Sequence, residues 1–149
     1  MAVNQRSLLF SKIIHELGGN RALDMPVRSE VELAASAERG VKKSALENIS
    51  IQLDISVPQL VSILKIPPRS LREKKDNLLS PAASAHLMKL AELVARGKEV
   101  FGKEERLKTY LQSPIPALEG KKPVELLGSV IGIQLILDEF IRIEHGVYY

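Results

Sequence analysis

Residues 123–149 read PVELLGSVIGIQLILDEFIRIEHGVYY. The apolar spacing predicts one helix from Pro123 to His145. Pro123 suits a first turn, where its missing N–H leaves nothing unpaired, and Gly146 suits a left-handed stop. Leu126, Leu127, Val130, Ile131, Ile133, Leu135, Ile136, Leu137, Phe140, Ile141 and Ile143 cover most of the circumference. A helix apolar nearly all round is buried on more than one side. Glu125, Gln134, Asp138, Glu139 and Arg142 interrupt it and make it a poor membrane span. Gly128 and Gly132, four residues apart, are expected on one face, where they would admit a second backbone. The helix is followed by His145, Gly146, Val147, Tyr148 and Tyr149, which hold two of the chain's three tyrosines. Tyrosines are large, stiff contact groups with a polar tip, and chain ends fray unless something holds them. Two readings are open for this tail: a plug that fills a partner's pocket, or a segment that packs back onto its own core.

Working outward, the chain is 149 residues long, enough for one domain or two small ones. Cysteine is absent, which excludes a disulfide frame and a thiolate metal site. No secretory leader and no charge-free apolar run of membrane length is read, so a cytoplasmic protein is expected. The net charge of +3 is weak as a total but uneven along the chain. Residues 1–79 hold 12 Lys and Arg against 9 Asp and Glu, whereas residues 80–149 hold 9 of each. Lys65, Arg69, Arg72, Lys74 and Lys75 crowd into eleven positions with only Glu73 opposing them. Such a cluster on a short helix is a candidate phosphate footprint.

Before that cluster, Leu8, Leu9, Ile13, Ile14 and Leu17 predict a helix that Gly18–Gly19 ends, and residues 20–28 read as a linker. Ser29 with Glu32 predicts a capping box, and Gly40 a stop. A helix is expected near Ser44–Leu53. Ser56 with Gln59, and Pro58 in the first turn, open another helix through Leu60, Val61 and Leu64. After a turn at Lys65–Ile66–Pro67, Pro68–Lys75 forms the next, anchored by Leu71. Two short helices across a tight turn, the second one basic, have the helix-turn-helix layout. In that layout Arg69 and Arg72 would face base edges, with Ser70 beside them, and Lys65, Lys74 and Lys75 would meet phosphates. One short helix supplies little specific contact, so a homodimer is expected. The competing reading is a solvated basic face. Further on, Ser80–Pro81 starts a helix to about Phe101, with Gly97 as a weak point and Gly102 as its stop. A short helix at Lys103–Gln112 and a Pro- and Gly-containing loop then lead to the last helix. No strand is expected.

Catalysis needs clustered groups, and the pattern offers none. His15, His86 and His145 fall on three different helices. Glu104–Glu105 and Asp138–Glu139 are neighbours in sequence, and neighbours point apart on a helix. No His-Glu-x-x-His, Gly-x-Ser-x-Gly or phosphate-cradling glycine loop is present. No enzyme, no cofactor and no metal site is expected.

Residues 80–149 resemble the toxin-binding domain of the Xre/MbcA/ParS antitoxins. The resemblance is carried by Leu79–Ser80–Pro81, Val100–Phe101–Gly102, Tyr110–Leu111 (where family members often have Trp–Leu), Pro114, Leu118, Gly120, Pro123, Leu126–Leu127, Gly132 and the closing Arg142–Ile143–Glu144–His145–Gly146–Val147–Tyr148. Residues 30–79 are similar to the Xre-like helix-turn-helix that precedes it, through Gly40–Val41, Ser56 and Ile66–Pro67–Pro68–Arg69–Ser70–Leu71. Pro67–Pro68 replaces the more usual polar start of the second helix. The resemblance implies an all-α protein with a DNA-binding bundle at 29–79 and a toxin-binding domain at 80–149; residues 1–28, read above as an N-terminal helix and linker, carry no signature of the family. It implies an antitoxin that neutralises a toxin encoded beside it, commonly a RES-domain enzyme that degrades NAD. Its carboxy-terminal end would reach the toxin's active site, with Arg142, His145, Gly146, Val147, Tyr148 and Tyr149 as the contact residues. Its helix-turn-helix would bind and repress its own operator, as a homodimer within a larger toxin–antitoxin assembly. The rival expectation is a stand-alone helix-turn-helix regulator with a C-terminal dimerisation domain, for which Gly128 and Gly132 suit a close crossing between subunits.

Overall fold

The computed structural model describes residues 5–73 and 77–146. Among them the fold is all-α, as the sequence leads one to expect. Eight α-helices run in the order α1 (Gln5–Leu17), α2 (Glu30–Arg39), α3 (Ala45–Leu53), α4 (Val57–Ile63), α5 (Pro68–Arg72), α6 (Pro81–Phe101), α7 (Glu104–Leu111) and α8 (Val130–Glu144).

The 21 residues of α6 are the axis of the fold. Ser80 caps it by accepting from the Ala83 N–H at 3.2 Å, Pro81 occupies the first turn, and Gly102 ends it in a left-handed conformation. Leu87, Leu90, Ala91, Leu93 and Val94 lie fully inside, and α1, α2, α3, α7 and α8 all pack against the helix. One apolar cluster runs from Ile13 and Leu17 on α1 through Ile49, Leu53 and Leu60 to Ile133, Ile136 and Phe140 on α8. Ion pairs stitch the seam between α1 and α6. Lys12 pairs with Glu99, and Lys98 donates to both carboxylate oxygens of nearly buried Glu16 at 2.9 and 3.0 Å. Gly97 is where α7 presses in: a Cβ there would lie 2.5 Å from a methyl of Leu107.

Four local expectations are corrected. Residues 20–28 are no mere linker. Asn20–Ala22 forms a 3-10 turn, Leu23 pairs with Val41 in an isolated bridge, and Ala22, Leu23 and Val27 are buried. At α2 the Ser29 hydroxyl does accept from the Glu32 N–H, but the Glu32 carboxylate takes the Arg28 N–H, one residue before the cap. The Ser56–Gln59 box at α4 is reciprocal. The basic helix is shorter than Pro68–Lys75, because the chain turns extended at Glu73. The last helix does not begin at Pro123. Pro123–Leu126 is a 3-10 turn, and Ser129 opens α8 afresh by accepting from the Gly132 N–H at 2.9 Å.

That last break also decides what the two glycines do. Gly128 precedes α8, with nothing within 4 Å of where its Cβ would be. Gly132 is spent inside the chain: a Cβ there would sit 2.1 Å from the Leu126 carbonyl oxygen. They share no helix face, so the close subunit crossing expected at Gly128 and Gly132 has no geometric basis.

Candidate functional site

Two surfaces hold the residues singled out in the sequence. The first is the end of α8. The preceding turn is pinned by His86, whose ring Nε2 lies 2.8 Å from the Leu127 carbonyl oxygen as its hydrogen-bond donor. Beneath the helix, Phe101, Tyr110 and Phe140 form an aromatic cluster with centroids 5.0–5.7 Å apart. The Tyr110 hydroxyl is buried and has no hydrogen-bond partner among the described residues. Burial, and secondarily the Glu139 carboxylate, pushes its pKa up to about 12. Glu139 is itself nearly buried and accepts from Arg142 at 3.2 Å. The helix closes with the His145 N–H on the Ile141 carbonyl and the Gly146 N–H on the Ile143 carbonyl, both at 3.1 Å. Gly146 turns left-handed at φ 70°, the conformation glycine adopts without a Cβ clash.

Arg142 pairs with Glu139, while His145 and Gly146 are exposed. These three stand together at the tip of α8. Val147, Tyr148 and Tyr149 lie outside the described residues.

One side of α8 packs and the other does not. Ile133, Ile136, Leu137 and Phe140 are buried, whereas Val130 is 62%, Ile131 77%, Leu135 46% and Ile141 41% exposed. The expectation of burial on more than one side is thus corrected. A period-based reading counts apolar residues but cannot tell a core face from a face left open for a partner.

The second surface is the α4–α5 turn. The Lys65 backbone is left-handed at φ 57° and its N–H bonds the Ser62 carbonyl, which stops α4 abruptly. Pro67 and Pro68 then set the dihedrals that start α5. Lys65, Arg69, Ser70 and Arg72 are all exposed. Arg69 has only a loose pairing with Glu73 at 3.8 Å. Lys74 and Lys75 lie outside the described residues. Sequence reasoning missed Lys43, which donates to the carbonyls of Ser70 at 2.7 Å and Glu73 at 2.6 Å. A cation on the last carbonyls of a helix complements its dipole. No sequence signal links Lys43 to residues about thirty positions away. A groove of about 780 Å³ runs beside α5, with Arg39, Lys43, Lys65 and His86 in its lining.

Among the described residues, no group of three or more His, Cys, Asp or Glu is placed to hold a metal ion, and no helix is long and apolar enough to cross a membrane.

Residues 96–146, from the last turns of α6 to the tip of α8, match a family described as the antitoxin Xre/MbcA/ParS C-terminal toxin-binding domain. Over 131 residues the chain is 24% identical to a protein of Yersinia enterocolitica named "Antitoxin Xre", covering 86% of this chain and 88% of that protein. It is also 24% identical over 131 residues to the "Prs ADP-ribosylating antitoxin" of a Sphingobium species, covering 80% and 82%.

Proposed function

We propose that this chain, an antitoxin of the Xre/MbcA/ParS type with a toxin as its partner, neutralises that toxin by steric occlusion. The residues that follow α8 enter the toxin's active-site cleft and exclude its substrate, and nothing is turned over. The observation that carries this reading is where α8 ends. The matched toxin-binding segment runs to Gly146, and α8 delivers His145 and Gly146 to solvent rather than to the core. Arg142 pairs with Glu139 one turn earlier. The toxin is a RES-domain enzyme that degrades NAD, and Val147, Tyr148 and Tyr149 occupy its nucleotide pocket. Aromatic side chains suit such a role because they add large contact area at low conformational cost.

The test is deletion of Val147–Tyr149. The truncated chain keeps its fold and still binds the toxin, but growth protection on co-expression is lost. A truncated chain that protected as well as the full one would end the plug mechanism.

The same protein represses its own operon through α4 and α5, acting as a homodimer. This reading is supported by three exposed polar or basic residues, Arg69, Ser70 and Arg72, on a helix that contributes no buried residue to the core, with exposed Lys65 in the turn before it. Arg69→Ala and Arg72→Ala relax operator choice, because each good bidentate base contact supplies about 1–3 kcal/mol of discrimination. Lys74→Ala instead weakens binding to all sequences and flattens the salt slope by about one unit. Operator preference unchanged by both arginine substitutions would remove α5 from the groove.

A further inference from the structure

We propose that the groove between α5 and the start of α6 binds a small amphipathic carboxylate, a molecule with an apolar body and one negative charge. The site stands apart from the end of α8, and binding there requires neither toxin nor operator. At about 780 Å³ the groove falls within the range of about 300–1,000 Å³ that small-molecule sites occupy.

The way α5 is held leaves the space open. None of its five residues is buried, and no other helix packs closely against it. Leu71, its inward anchor, is only half-buried and lines the groove. The α6 wall carries Ala82 and Ala83, whose short side chains do not fill the gap. Buried Leu64, Ile66 and Leu79 also line it, so its inner surface is apolar. An apolar body placed there contributes affinity in proportion to the area it removes from water.

The charges point to an anion. Arg39 at the end of α2, Lys43 before α3 and Lys65 in the α4–α5 turn all line the groove, against one acid, Glu73. Lys43 gives two of its three N–H donors to the Ser70 and Glu73 carbonyls and keeps the third. Arg39 gives its Nε–H to Asp24 at 3.0 Å. His86, also in the lining, is spent on the Leu127 carbonyl. Three cations from three separate segments repel one another, and an anion among them offsets that repulsion. Glu73 opposes a second negative charge, which favours a carboxylate over a phosphate dianion. A bound carboxylate lies against Leu71 and beside the carbonyls that Lys43 holds, and so steadies α5.

The experiment uses the full-length chain with octanoate, hexanoate and 1-octanol as probes, followed by calorimetry and backbone amide shifts. Octanoate is expected to bind at one site, about tenfold tighter than hexanoate, since each buried CH₂ gives roughly a fourfold gain. It should also bind about tenfold or more tighter than octanol, which cannot pair with the cations. Shifts should centre on Leu71, Leu79 and Ala83. Arg39→Gln combined with Lys65→Gln, both at exposed positions, should remove the preference for octanoate over octanol and leave the melting temperature near that of wild type. Ala82→Trp fills the groove from an exposed position and should abolish binding of both. No saturable binding of octanoate, or equal affinity for octanoate and octanol in the wild-type chain, would overturn the site. Shifts confined to the exposed side of α8, or octanoate affinity unchanged by Ala82→Trp, would overturn it equally.

Discussion

α5 and α8 are both surface helices of one small all-α protein, and they are built in opposite ways. Five residues make α5; none of them is buried, and it is held at its carbonyl end by one lysine. Fifteen residues make α8; six are buried, and the helix sits on a three-ring aromatic cluster. If α5 works through charge, as proposed, it needs little packing, because Coulomb attraction to a polyanion tolerates small displacements. If α8 leads into an inserting segment, as proposed, it needs a rigid seat. The difference between the two is therefore one of mechanical support, and substitutions that remove the support separate them.

The largest expected effect is at the start of α8. Gly132→Ala places a Cβ 2.1 Å from the Leu126 carbonyl oxygen, a backbone atom that cannot swing aside. The 3-10 turn must then move away from the helix. Overpacking of this kind costs about 3 kcal/mol, which for a chain of this size lowers the melting temperature by roughly 6–12 °C. Calorimetry or circular dichroism measures it directly. Melting unchanged by the alanine would mean that the turn at residues 127–129 is not as tight as described.

Next comes the support of α5. Lys43→Met keeps the aliphatic stem and removes two charge-assisted hydrogen bonds. The loss is expected to cost about 1.5–3 kcal/mol locally, discounted for the exposed setting. Amide exchange at Ser70–Glu73 should accelerate while exchange in α8 stays unchanged. If α8 also loosens, the two helices share one cooperative unit and the contrast between them disappears.

The same contrast explains what could be read from the sequence. Caps and stops are local chemistry, so Ser80–Pro81, Gly102, Ser56–Gln59 and Gly18–Gly19 placed their helix ends well. The all-α class followed from the same signals. The start of α8 was missed because Pro123 is also a good helix opener, and the apolar run continues through the break. Ser129 was the available signal, a capping residue three positions before the N–H it satisfies. The open face of α8 could not be read at all: an isoleucine against a partner and an isoleucine in a core look alike in one dimension. Lys43 was hidden for a related reason, since its role depends on backbone carbonyls brought near it by the fold. At the α8 tip, Arg142, His145 and Gly146 came together because they are neighbours on one helix end.

The smallest expected effect concerns the seat of α8 itself. The Tyr110 hydroxyl is buried without a hydrogen-bond partner among the described residues, and its pKa is raised to about 12, first by burial and then by Glu139. In the unfolded chain a tyrosine titrates near 10. The folded state therefore holds this proton over a range where the unfolded state has released it. The contribution to stability is complete below about pH 10 and is lost as pH rises towards about 12. Tyr110→Phe removes both the orphaned hydroxyl and that slope. At neutral pH it should leave stability unchanged or raise it by up to about 1 kcal/mol, because a buried polar group without a partner carries a desolvation cost. Between pH 10 and 12 the variant should lose less stability than wild type, read as the difference between two urea titrations at each pH. Whatever else changes with pH changes alike in both proteins, so only the difference is informative. Parallel curves would show that water reaches the hydroxyl, and that the aromatic floor beneath α8 is less dry than its packing indicates.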